Sequence, residues 1–149
     1  MSTTTQEINE HCIEVCNRLL RGELSAIETY NKAIEKFTRE TASGELARIR
    51  DEHARTVGKL RTNIFDMGGE PSTDSGAWGV FATSVQGAAN LFGVDSALSA
   101  LLRGEEHGRE EYEEALKDDD VMESCKQLIS GDLLPKTREH ILTLKRLED

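Results

Sequence analysis

The pentapeptide Leu-Leu-Arg-Gly-Glu occurs twice, at residues 19–23 and again at 101–105, 82 positions later. At the same offset Glu28 falls on Glu110, Tyr30 on Tyr112, Ala33 on Ala115 and Ile34 on Leu116. A second set agrees at a slightly larger offset: Glu52, His53, Thr56 and Leu60 match Glu139, His140, Thr143 and Leu147. A chain that repeats itself in two blocks, each with its own offset, consists of two copies of one two-part unit.

The parts are helices. Thr4 followed by Glu7 is a capping-box start. From there Ile13, Cys16, Leu20, Glu23, Ile27, Tyr30, Ile34 and Phe37 are spaced alternately three and four, the seam of a packed helix. The polar run at residues 41–44 is a short connection, so the next helix is an antiparallel neighbour. Its seam is Leu46, Ile49, His53, Thr56, Leu60, Ile64 and Met67, and Gly68-Gly69-Glu70-Pro71 stops it. Asp95 is expected to cap a third helix carrying Leu98, Leu102, Glu105, Arg109, Tyr112 and Leu116. A fourth starts at Asp120 and Glu123 and carries Val121, Cys125, Leu128, Leu133, His140, Leu144 and Leu147. Gly131 and Pro135 should kink or interrupt it.

The expected fold is therefore an all-α, single-domain bundle over residues 1–149, with helices at about 5–39, 43–67, 96–117 and 121–147. The crossover at 68–95 is too long for a tight turn and too apolar, in WGVFATSVQGAANLF, for a free linker. It is expected to lie along the bundle, burying Trp78, Phe81 and Phe92, and to leave helices two and three parallel. Composition agrees: 31% charged residues and 5% aromatics suit helices better than a sheet.

Three stretches carry a family resemblance: RGELSAIETYNKAIEKF at 21–37, KLRTNIFDMGGEPSTDSGAWG at 59–79 and RGEEHGREEYEEAL at 103–116. Through them the chain resembles an uncharacterised bacterial family of ferritin-like four-helix-bundle proteins, known mainly as a domain of unknown function. The Gly-Gly-Glu-Pro connection followed by Ser-Gly-x-Trp is its most specific part. The resemblance implies the ferritin-like fold, two related helical hairpins joined by a long crossover, and a possible link to stress physiology. It brings no assigned activity.

The best-known chemistry of ferritin-like proteins is a di-metal centre, with a Glu on each leading helix and a Glu-x-x-His on each partner helix. The seams offer Glu23, His53, Glu105 and His140, but Arg50 and Thr137 stand where the bridging glutamates belong. Glu52 and Glu139 adjoin their histidines and point about 100° away. If the first reversal is centred at residue 42, Glu23 lies 19 positions from it and His53 only 11, an offset of about 12 Å. Arg109, a cation on the third seam, adds an objection. The expectation is that Glu23 and His53 lie on different levels, and that no residue serves as metal ligand, cofactor ligand or catalyst. The polar seam then fixes helix register, with Tyr30 meeting His53, or Glu23 and Glu105 bonded to Asn63 or Arg109. Cys12, Cys16 and His11 suggest a soft-metal set but lack a further ligand, so the thiols are read as small core hydrophobes.

Function classes narrow by exclusion. A net charge of −10 opposes nucleic acid and anionic membranes as partners. The polar N-terminus is unlike a signal peptide, no apolar run reaches the ~20 residues of a membrane span, and three cysteines form no disulfide framework. A soluble, cytoplasmic, reduced protein is expected. No Gly-rich phosphate loop and no nucleophile with an adjacent base is present, which points away from an enzyme. The leading expectation is a structural or interaction role without di-iron chemistry and without a cofactor; the alternative is a bundle that binds iron, zinc or manganese. The first helix, ~50 Å against ~37 Å for the second, should overhang and expose Ile8, Cys12, Val15 and Leu19. A homodimer or higher homo-oligomer is the expected cover.

Overall fold

The computed structural model describes residues 4–36, 42–76 and 94–148. These residues form helices and connections and no strand. Helix α1 runs Thr5–Lys36, α2 Ala42–Asp66 and α3 Val94–Lys117. The last rod comprises α4, Glu123–Leu128, a wider π-helical turn at Ile129–Leu133, and α5, Leu134–Glu148. Phe37, Trp78, Phe81 and Phe92, with most of the expected crossover, lie outside the described residues.

Local chemistry accounts for the ends. The Thr4 hydroxyl accepts the Glu7 N–H at 3.1 Å, the N-cap bond expected of the capping box. At the end of α2 the Gly69 N–H reaches the Ile64 carbonyl at 3.0 Å and the Gly68 N–H reaches that of Phe65 at 2.9 Å, a Schellman stop. Gly68 sits at φ +83, where a side chain is strained. Gly69 has a different reason: a Cβ there would stand 2.6 Å from Ile13 on α1. Asp95 falls inside the first turn of α3 and does not cap it, because the helix begins at Val94. Gly131 and Pro135, which has no N–H to give the Gly131 carbonyl, interrupt the last α-helix as expected, with a π turn and not a break in the rod. The preceding turn widens and the backbone stays helical at both of its edges, Leu128 and Leu134.

Helix directions follow from the contacts. Asn31 meets Arg50, Cys16 meets Asn63 and Asn9 meets Met67, so α1 and α2 are antiparallel. Tyr30 meets Glu105 and His11 meets Asp118, which makes α1 and α3 antiparallel too. Ser99 bonds Glu148, setting α5 against α3. Helices α2 and α3 therefore run the same way. Two apolar clusters fill the interior. One holds Leu19, Leu20, Val57, Leu60, Ile64, Ile129 and Leu133; the other holds Ala33, Leu46, Ile49, Leu98, Leu101 and Leu144. Between these clusters the long helices bury polar side chains, Glu23 on α1, Glu52 and His53 on α2, Glu105 on α3 and His140 on α5.

The expected overhang of α1 is covered by the chain itself. Cys12, Val15 and Leu19 are buried. Cys12 packs on the connection before α4, bonding Asp120 and Met122. Asn9 and Asn17 hold the chain leaving α2 through the carbonyls of Met67 and Glu70, at 2.9 and 3.1 Å. A second copy is not needed to shield these side chains.

Two glycines, Gly58 within α2 and Gly68 just past its end, give opposite predictions. Gly68→Ala should cost about 1–2 kcal/mol from its left-handed backbone alone. Gly58→Ala, at an exposed helical position with nothing within 4 Å of the added carbon, should gain about 0.5–1 kcal/mol. Urea midpoints of the two variants check both signs.

Candidate metal centre

Five ionisable side chains converge in the polar layer: Glu23 from α1, Glu52 and His53 from α2, Glu105 from α3 and His140 from α5, all buried. His53 is its hub. Its Nδ1 donates to Glu23 and its Nε2 to Glu105 Oε1 at 2.6 Å. The two tyrosines that coincide in the repeat cross over. Tyr30 donates to Glu105 at 2.9 Å, while Tyr112 donates to Glu23. His140 donates from Nε2 to Glu52 at 3.0 Å, and Arg48 secures the other oxygen of Glu52 at 2.6 Å.

Two buried atoms are left without a hydrogen bond among the described residues, Glu105 Oε2 and His140 Nδ1. His140 Nδ1 lies 3.4 Å from Glu105 Oε1, close enough for electrostatic attraction but not aligned as a hydrogen bond. His53, Glu105 and His140 thus each offer one ligand atom, all within 4.8 Å of one another. Around a tetrahedral ion at ~2.1 Å such atoms stand about 3.4 Å apart, so small side-chain rotations would close the set. The outer nitrogen of each histidine meets a carboxylate, Glu23 for His53 and Glu52 for His140. That is how metal-binding imidazoles are commonly oriented.

The structure overturns the expected separation of Glu23 and His53, which touch. The error lay in the position of the reversal. Residue 42 already belongs to α2, and the Asn31–Arg50 and Cys16–Asn63 pairs place the pivot near residue 40. The offset then falls to roughly 6 Å, which two long side chains span. Other expected partners differ as well. Arg109 turns outward to Glu113, 3.4 Å away, and so removes the expected objection to a cation. Asn63 bonds two cysteines. Tyr30 does pack on His53, ring centroids 5.5 Å apart, but its hydroxyl serves Glu105.

At the two positions where a di-metal centre needs glutamates, the side chains are otherwise engaged. Arg50 bonds Asn31 and Asp51, and the Thr137 hydroxyl donates to the Leu133 carbonyl. Glu52 is the residue that sequence reasoning missed. It points away from its neighbour His53, as helical geometry requires, and thereby reaches His140 on another helix. Its repeat counterpart Glu139 is exposed. The roles of Tyr30 and Tyr112 had a signal in the sequence: they recur at the same offset as Glu23 and Glu105. A cavity of about 50 Å³ between α1 and α3 adjoins the layer, bordered by Gly22, Gly104 and Gly108 as well as Glu23, Glu105 and both tyrosines. It has room for a few waters.

Charge explains the protonation. Burial alone would push His53 down, but the carboxylates of Glu23 and Glu105 outweigh it and hold the imidazole well above its usual value. Burial alone would push Glu105 up, and His53 and His140 bring it below the usual carboxylate range. Glu52 is likewise lowered against its burial, by His140 and then Arg48. Burial raises both phenols, and the adjacent glutamates raise them further.

Without metal, the His53 and Glu105 contributions are both complete between the ordinary glutamate and histidine values, 4.5 and 6.5. Glu105 loses its share as pH falls below that window through its depressed folded value. His53 loses its share as pH rises above the window through its raised one. In chelator, the melting-temperature advantage of the parent over His53→Gln should therefore shrink as pH rises above 6.5. An advantage that stays constant from pH 5 to 9 would contradict a charged His53.

Comparison with known proteins adds one match. No curated protein and no solved structure matches the chain. Residues 11–118, which carry most of α1, all of α2 and α3 and every member of the polar layer except His140, match the model of a family described as a domain of unknown function, DUF2383. The chain belongs to the DUF2383 family.

Proposed function

We propose that this protein is a metal-binding helical bundle in which His53, Glu105 and His140 hold one divalent cation. The carrying observation is the convergence of His53, Glu105 and His140, each with a ligand atom within 4.8 Å of the others, at residues where two buried atoms, Glu105 Oε2 and His140 Nδ1, have no hydrogen-bond partner. A buried carboxylate oxygen and a buried imidazole nitrogen each carry a desolvation cost when left unpaired. One cation would satisfy both. Two nitrogens and a carboxylate suit iron, zinc or manganese. Arg50 and Thr137 in place of glutamates argue against a second ion. Three protein ligands leave room for water or a small molecule, and such an ion supplies Lewis acidity and a more acidic bound water.

The parallel α2 and α3 and the repeated Glu23/Glu105 and Tyr30/Tyr112 pairs support a ferritin-like arrangement of two related hairpins as the scaffold. Among the described residues no helix is long and apolar enough to cross a membrane. Three free cysteines fit a reducing compartment such as the cytoplasm. The competing reading, a purely structural polar layer, is favoured by His53, whose two nitrogens are both satisfied by carboxylates without metal. It leaves the two partnerless atoms unexplained.

Metal analysis of protein purified without chelator separates the two. Close to one iron, zinc or manganese per chain is expected. Readding the ion to stripped protein at 100 times its dissociation constant should stabilise it by about 2.7 kcal/mol. His140→Ala and Glu105→Ala should abolish this, while Glu23→Gln should weaken affinity about 10- to 100-fold. No retained metal, with unchanged melting temperatures in all three ions, would leave the structural reading standing.

A further inference from the structure

All three cysteines meet in the other half of the interior, away from the proposed ligands, and each is free and buried. Cys16 on α1 and Cys125 on α4 place their sulfurs 3.8 Å apart, the Cys16 S–H donating. The amide of Asn63, from α2, donates to both sulfurs, at 3.4 Å to Cys16 and 3.1 Å to Cys125. Cys12 is occupied elsewhere: its thiol donates to the Asp120 carbonyl at 3.3 Å and its sulfur accepts the Met122 N–H at 3.2 Å. Two thiols are thus aimed at each other and the third is held apart.

A cysteine that merely fills space needs no donors directed at its sulfur. Here an S–H and an amide N–H both point at Cys125, the arrangement that favours a thiolate. The Cys16 contact brings Cys125 down to about 6, with Asn63 and Ser124 adding to it against burial. Cys16, the donor of the pair, is raised. The ionisable groups facing the pair are Cys12 on α1 and, near Cys16, Tyr112 on α3.

We propose that Cys125 and Cys16 form a reactive dithiol that reduces a small, uncharged hydroperoxide and closes to a disulfide joining α1 to α4. In the first step the Cys125 sulfur bonds one peroxide oxygen as the O–O bond breaks. This leaves a sulfenic acid on Cys125 and releases hydroxide or alkoxide, which takes a proton from solvent. In the second step the Cys16 sulfur bonds Cys125 as the S–O bond breaks, and the Cys16 proton leaves with that oxygen as water. The sulfurs give up two electrons, and the peroxide bond receives them. Closing from 3.8 Å to a bond of ~2.05 Å moves each sulfur by about 0.9 Å. Burial restricts the oxidant to small neutral molecules. Entry is eased where Cys125 sits, on a six-residue helix with no side-chain cap that runs into the π turn.

The test uses reduced, chelator-treated protein exposed to hydrogen peroxide under native conditions, with thiols mapped by alkylation and mass spectrometry. The expected result is one peroxide consumed and two thiols lost per chain, a Cys16–Cys125 linked peptide, Cys12 still alkylatable, and full reversal by dithiothreitol. In Cys16→Ser a sulfenic acid should accumulate on Cys125 and be trapped by dimedone, whereas Cys125→Ser should leave Cys16 unreacted. Because the protein is stripped of metal before peroxide is added, this site and the metal site can fail separately. Three thiols persisting in the folded protein, at peroxide levels that oxidise the urea-unfolded chain, would overturn the proposal. A dimedone adduct on Cys16 instead of Cys125 would overturn the assigned roles.

Discussion

The bundle turns on the grip of His53 on two carboxylates from two other helices. Without metal, a buried histidine flanked by Glu23 and Glu105 keeps its proton, and a buried cation is tolerable only while both counter-charges stay in place. The helices that supply those charges are thereby fixed in height. Tyr30 and Tyr112 add neutral donors that share the carboxylate charge without bringing another ion into the interior. The two apolar clusters sit on either side of this layer, so their registers are set from the middle of the bundle outward. Breaking the layer at one residue leaves several unpaired charges behind, which is far more costly than the layer's net worth.

Much of this arrangement was open to reading along the chain. The alternating three-four spacings place Glu23, His53, Glu105 and His140 on inward seams, and all four are buried. The Schellman stop is written in Gly68-Gly69. Relative heights of side chains on neighbouring helices are another matter, because they depend on where a short reversal is centred. A polar run such as Thr41-Ala42-Ser43-Gly44 can be the first turn of a helix as easily as a loop, and α2 starts inside it. An error of two residues in the pivot changes the height difference by four, since both arms shift, and that is enough to pull a contacting pair apart on paper. Exposure of the α1 overhang was misjudged for a related reason. What covers it comes from connections, at 67–72 and 118–122, whose paths no periodicity describes.

Polar side chains of α2 show how much a single helical position matters. His53 faces α1 and α3, and Glu52, one residue earlier, faces α5. The two neighbours therefore work on different sides of the same layer. On α5 the matching pair has been put to unequal use: His140 is inside and Glu139 is in solvent. The repeat is thus close in its leading helices and loose in its partner helices, which is why the layer has two tyrosine–glutamate pairs but only one inward Glu–His neighbour pair.

The crossing of those pairs reaches further. Tyr30 of the α1–α2 pair bonds the glutamate of α3, and Tyr112 of the α3–α5 pair bonds the glutamate of α1. Each half thus supplies the phenol that bonds the other half's buried carboxylate. The two crossed bonds tie the α1–α2 pair to the α3–α5 pair at one level, so that sliding either pair along the bundle would break both at once.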